Sequence, residues 1–275
     1  MRKLNGGGPG MSRTIAVVNQ KGGVGKTTIT LGLASAAWAR GDRLLVVDLD
    51  AQANSTWVLG IEPSLEHLGA GDALTSSESG AAADMIVPGG WGDQIWVLPG
   101  AGDLTQRDTD PNTVASRRRL SRALEGVVER FDVVLIDCAP SLGLNTTNGL
   151  VAAEGALIVV EPSVFGLRGI EPVLDLIEDV WAVDNPELDL TGIVLNRVPA
   201  VSASAQARIN DLKRMVGARS VWKPHIPQRV LINQAHQERA PIHSYGGTGR
   251  ELATAFDALY RKLLRTTSQK VHKTA

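Results

Sequence analysis

The sequence predicts an α/β protein: a doubly wound, mostly parallel sheet flanked by helices. Three observations carry this. Short, nearly continuous apolar runs alternate with helix-length stretches, as strands buried on both faces require. A glycine-rich turn at 20–28 joins the first apolar run to the first helical stretch. Two other apolar runs end in aspartate, at the carboxyl ends where open parallel sheets hold ligands.

Taken in order, the apolar runs predict strands at 14–19, 44–48, 95–98, 133–137, 156–160, 192–196 and 221–226. The intervening patterns predict helices at 27–40, 113–130, 143–153, 169–183, 203–216, 231–237 and 249–264. Gly41 after Arg40 is a helix stop. Residues 60–94 are rich in Gly, Ala and Ser and weakly periodic, which predicts short helices and loops. No linker, charge block or repeat divides the 275 residues. The expected organisation is a flexible leader at 1–12, a single domain at 13–265 and a polar tail at 266–275.

Composition narrows the function. The formal net charge is −1, so a nucleic acid or membrane partner would have to be met by a local patch. The single cysteine, Cys138, excludes an internal disulfide and fits a reducing cytoplasm, and it reads as a small packed hydrophobe. No apolar run approaches membrane-spanning length. Residues 1–10 lack the hydrophobic segment of a signal peptide. With the phosphate loop starting at 21, no helix-turn-helix domain is expected ahead of it.

The turn itself is Gln20-Lys21-Gly22-Gly23-Val24-Gly25-Lys26-Thr27-Thr28. Its glycines let backbone N–H groups converge on an anion, and the following helix adds the positive end of its dipole. Lys26 would reach the β- and γ-phosphates and the Thr27 hydroxyl would ligate Mg²⁺. The ordinary pattern has glycine where Gln20 stands, and here a second lysine, Lys21, opens the loop. In this the loop resembles the deviant Walker A loop of the ParA/MinD family of dimerising P-loop ATPases. The resemblance covers roughly residues 13–265 and is strongest at 17–54, 131–148 and 222–250. It implies ATP/ADP and Mg²⁺ as cofactors, with Gly22, Gly23, Val24, Gly25, Lys26, Thr27 and Thr28 around the phosphates. It also implies that Lys21 crosses to the nucleotide of a partner subunit, making an ATP-bound homodimer.

The second strand ends Val47-Asp48-Leu49-Asp50-Ala51-Gln52, and two acids at a strand's carboxyl end can serve a metal–phosphate centre or stand as solvated turn carboxylates. The run is similar to the family's first switch. That similarity makes Asp50 the residue that positions the attacking water and Asp48 a support of the loop or a group behind the metal; Ala51 replaces the usual proline. Asp137, ending Val133-Val134-Leu135-Ile136, looks like a Walker B aspartate holding Mg²⁺ through water, with the second switch at 140–148. Asp50 is a weak base at neutral pH, so intrinsic hydrolysis is expected to be slow. Asn196 has an amide that can read adenine, and it stands where the family places such a residue. Pro227, in His225-Ile226-Pro227, matches the segment beside the base.

Within the family, one cysteine excludes a nitrogenase-type iron protein, whose bridging cluster needs more. Amide-forming relatives generally lack the counterpart of Lys21. The resemblance therefore points to a ParA-type partition ATPase: cytoplasmic and nucleoid-associated, binding double-stranded DNA without sequence preference as an ATP dimer, and stimulated by a ParB-like adaptor protein. The alternative is a MinD-like positioning ATPase on a membrane or polar scaffold, since 256–265 is basic and amphipathic. A metabolic ATP-dependent enzyme is a third class. The candidates for DNA contact are Arg208, Lys213, Arg214, Arg219, Lys223 and Arg229, with a second cluster at Arg117, Arg118, Arg119 and Arg122. The family's Ile-Pro-Arg-x-Val-Arg reads Ile226-Pro227-Gln228-Arg229-Val230-Leu231 here, so its arginines do not transfer.

Overall fold

In a computed structural model, the structure describes residues 12–266. All but Ser12 of the expected leader, and the expected tail beyond Thr266, lie outside the described residues.

Seven strands form one sheet: β1 (Arg13–Val18), β2 (Leu44–Asp48), β3 (Val87–Pro88), β4 (Ile95–Leu98), β5 (Val133–Asp137), β6 (Gly155–Val160) and β7 (Asp189–Leu195). Their order is β3-β4-β2-β5-β1-β6-β7, parallel throughout except where β3 pairs antiparallel with β4. The chain thus winds to one side of β1 and then to the other, and β1 marks the switch point where ligands bind in such sheets. Register sets the ends together: Val17 and Asp48 both pair with Asp137.

Alternation along the strands builds two cores. Ile15 and Val17 face the same core as Ile29 and Leu33 of helix α1 (Lys26–Arg40). Ala16 and Val18 face the other, with Leu150 from the Leu144–Ala152 helix and Val173 and Ile177 from the Glu171–Val183 helix. Gly41 closes α1 in the left-handed region (φ 78), its N–H returning to Trp38 O. Gly32 has no side chain to spare: a Cβ there would run into the ring of Phe256. This close approach seats α1 against the C-terminal helix Gly246–Arg265, whose Leu252, Phe256, Leu259, Tyr260 and Leu263 are all buried. Each such large apolar side chain contributes about 1.5–3 kcal/mol.

Three expectations need correction, and one strand was not expected. Residues 221–226 are not a strand; they run beside β7 with Trp222 N bonded to Ile193 O and Ile226 N to Leu195 O, but Pro224 between them has no N–H to continue a ladder. The expected helix at 113–130 is three pieces, Val114–Arg117, Arg119–Ala123 and a 3₁₀ turn at Val128–Arg130, parted by Arg118 and by left-handed Gly126. The helix expected at 169–183 begins at Glu171, because Pro172 fits only a first turn, and a separate short helix, Val164–Arg168, precedes it. β3 is not legible in the sequence because it is two residues long and contains a proline.

Candidate active site

β1 ends against the glycine turn, and Gly25 takes a left-handed conformation (φ 93) immediately before α1. The first N–H groups of α1 are therefore left to face an open cleft of about 310 Å³. Gly23, Gly25, Lys26, Thr27, Thr28 and Asp50 line it, together with Asn54, Trp57, Pro140, Arg197 and His236. Gly25 also permits a close approach from the far side, since a Cβ there would strike the Asn196 amide.

The charges in this cleft are set by burial. Lys26 is only 6% exposed, and desolvation lowers its pKa against the raising pull of Asp137, Cys138 and Asp50. Its ammonium makes no hydrogen bond among the described residues. Asp137 is pushed up to about 6 by burial, while the hydroxyls of Ser55 and Thr27 and the charge of Lys26 hold it down. Ser55 Oγ donates to Asp137 Oδ2, and Asp137 Oδ1 has no hydrogen-bond partner among the described residues. Asp48, beside it, is raised to about 7 by burial and by Asp137.

Asp48 is wholly engaged in structure. Its Oδ2 accepts from Thr56 N and Thr56 Oγ1, each at 2.8 Å, and its Oδ1 accepts from Asp50 N at 3.1 Å. Helix α2 (Asn54–Val58) is thereby pinned twice, Ser55 holding Asp137 and Thr56 holding Asp48. This fits a loop support and leaves Asp48 little capacity to serve a metal. Asp50 is half-buried on the cleft wall and accepts from Gln52 N at 2.9 Å.

A second hollow of about 190 Å³ adjoins the first through the shared residues Thr28 and Arg197. Asn196 and Pro227 line it. Asn196 Nδ2 donates to Val24 O at 2.8 Å, and the buried Asn196 Oδ1 has no partner among the described residues. That leaves an unpaired acceptor on a residue that lines the hollow, of the kind that pairs with the exocyclic amine of adenine.

Lys21 does not line its own cleft. Its N–H donates to Asn19 Oδ1, and its ammonium lies 3.5 Å from Glu161 at the end of β6. Gly22 and Val24 shape the turn; Val24 is buried and Gly22 lies near Pro140.

The donor set fits a magnesium nucleotide on the observations above: a bondless buried ammonium, an orphaned carboxylate oxygen, an orphaned amide oxygen and unsatisfied helix N–H groups. Lys26, the turn amides and Thr27 would hold the phosphates and metal, with Asp137 behind them. Bound Mg²⁺ would supply neutralising charge to the phosphate oxygens.

The basic candidates fare unevenly. Arg208 and Arg214 both pair with Asp211, and Arg229 forms a forked pair with Glu251. Arg117 and Arg118 pair with buried Asp184, Arg119 pairs with Asp110, and Arg122 donates to Ser77 O. Among the described residues Lys213, Arg219 and Lys223 have no ion pair. Sequence reasoning does not find Trp57, Arg197, His236 or Ser55. Arg197 follows Asn196 directly and was legible from that position, whereas Trp57 and His236 reach the cleft only through tertiary packing.

Residues 12–190 match the family described as an AAA domain. The chain is 33% identical to the sporulation initiation inhibitor protein Soj of Bacillus subtilis, over 87% of this chain and 94% of that one. It is 31% identical to the chromosome partitioning protein ParA of Caulobacter vibrioides, over 92% of each. This chain belongs to the ParA/MinD family. Among solved structures, a cobyrinic acid a,c-diamide synthase from Mycobacterium smegmatis with bound ADP and magnesium superimposes with a TM-score of 0.75 at 28% identity, covering 96% of this chain and all of that one. The family's P-loop ATPase fold is therefore common to partition proteins and to a protein named as a synthase, and the choice between them rests on the site.

Proposed function

We propose that this ParA/MinD-family chain is an ATP-dependent dimerising switch of the ParA type, which binds duplex DNA without sequence preference in its ATP state and drives partition of a cargo. The observation that carries the reading is the placement of two lysines. Lys26 is buried in the cleft; Lys21, one turn of chain earlier, is held outside it by Glu161 at 3.5 Å. An ammonium that does not serve its own cleft is free to serve another copy's, where it would stabilise charge building on the transferred phosphoryl group. Both partners are about one-third exposed, and such ion pairs are worth at most about 1 kcal/mol, so exchange costs little.

Hydrolysis in this reading is slow without a partner. Asp50 orients water at the cleft wall but removes its proton poorly, and a ParB-like adaptor would raise the rate. The MinD-like membrane alternative is weakened by the C-terminal helix, whose apolar stripe is spent on α1; no helix among the described residues is long and apolar enough to cross a membrane. A synthase would need an acid and an amide donor for turnover, whereas a switch hydrolyses ATP without either. Retention of random-sequence duplex DNA under ATP, ADP and no nucleotide tests the reading. ATP-specific, salt-sensitive retention supports it; retention by liposomes instead, or turnover only with a small acid substrate, contradicts it.

A further inference from the structure

The amino end of β7, opposite to Asn196, borders a groove of about 500 Å³ between residues 219–222 and the last turns of the Gly246–Arg265 helix. Of its lining residues four are cations, Arg219, Arg261, Lys262 and Arg265, and none is acidic. Among the described residues none of these four has a carboxylate partner, in contrast to Arg208, Arg214, Arg229 and the arginines at 117–119. The chain's near-neutral total thus conceals a concentrated positive surface. Arg13 donates to Thr266 O at 2.6 Å and fixes the end of the helix that carries it.

The walls determine what kind of anion fits. Lys262 Nζ stands 5.0 Å from the Trp222 ring, and burial lowers its pKa, so it gains from an incoming negative charge. Trp222 itself is 2% exposed, its indole packed on Gly192 where a Cβ would collide with it. It is therefore a wall and offers no face for a base to stack on. Leu190 is likewise buried, which leaves only the methyl of half-buried Ala258 as an apolar side chain towards a lipid layer. Arg261 and Arg265 lie one turn apart on one helix face, about 6 Å along the axis, a spacing suited to neighbouring phosphates of one strand.

We infer that this groove docks the phosphodiester backbone of duplex DNA, by charge alone and without reading bases. The assignment rests on the DNA-binding reading above and adds where the DNA lies. It ranks Arg208, Arg214 and Arg229 below the groove as contacts, because each has a carboxylate neighbour that offsets the charge it presents, whereas the groove's four cations have none among the described residues.

The test uses the full-length protein with Mg-ATP and random-sequence duplex DNA over a salt series. Removing one cation from a DNA phosphate makes the plot of log affinity against log salt shallower by about 0.9, so R261A/R265A should flatten it by about 2. At low salt that variant should bind at least about tenfold more weakly, with basal ATP turnover and thermal midpoint unchanged. R208A/R214A should keep the wild-type slope. A wild-type slope in R261A/R265A overturns the groove and leaves the DNA-binding reading standing. Absence of ATP-stimulated DNA retention by the unaltered protein overturns that reading, and the groove's role with it. Binding to phosphatidylserine vesicles that disappears in R261A/R265A, without DNA retention, gives the groove to a membrane and also overturns the inference.

Discussion

Asn196 and Asp48 show how single side chains divide their duties here. With Asn196 Nδ2 committed to Val24 O, its free oxygen accepts from an amine and repels a carbonyl. Asn196→Ala should weaken ATP binding about tenfold and narrow the preference for ATP over GTP, measured by competition binding. Asp48 and Asp137 titrate at about 7 and about 6 when folded, against an ordinary 3.8. Raised folded values contribute stability that is complete below about pH 4 and lost as pH climbs through the folded values. His225 and His236 are lowered by burial, and they act in the opposite sense as pH falls below 6.5. Between about pH 4 and about pH 7 these two carboxylates should therefore lower the thermal stability of the nucleotide-free protein as pH rises, partly offset by the two histidines below pH 6.5, and Asp48→Asn should flatten that decline in a melting series. The phosphate turn was legible residue by residue because glycine spacing, both lysines and the strand–turn–helix setting coincide in a short stretch. The pinning of α2 by Ser55 and Thr56 was not, because their carboxylate partners sit on different strands and meet them only after the sheet forms.

At the scale of elements, the C-terminal helix separates two readings. Its sequence alone, basic and amphipathic, is compatible with a membrane surface or with a core. Packing decides: Phe256 lies in the gap left by Gly32, and Leu259 and Leu263 are fully buried beside it. Phe256→Ala should cost about 3–5 kcal/mol of unfolding free energy, and Arg261→Ala, on the exposed face, less than about 0.5, by denaturant titration. Comparable small losses for both would return the helix to the surface. The parallel strands were readable from their continuous apolar runs. The elements that sequence reasoning misplaces are those where a proline or a turn breaks a run: Pro88 in β3, Pro172 at a helix start, Pro224 beside β7 and Gly126 within the interrupted helical stretch.

At the scale of the whole molecule, the sheet places two clefts at its carboxyl end and a basic groove at the other end of its edge strand. Among the described residues nothing brings a second ammonium to the Lys26 cleft, which is why the central claim is a claim about two copies. In the proposed reading Asp50 orients water while Lys26 and the turn amides hold phosphates, so Asp50→Ala should block hydrolysis while leaving the triphosphate bound. The direct measurement is the mass in solution of Asp50→Ala with saturating Mg-ATP, by light scattering or sedimentation, alongside the same protein carrying Lys21→Ala as well. The account predicts a dimer for the first and a monomer for the second, with equal nucleotide occupancy. A monomer in the first, or an undiminished dimer in the second, would contradict it.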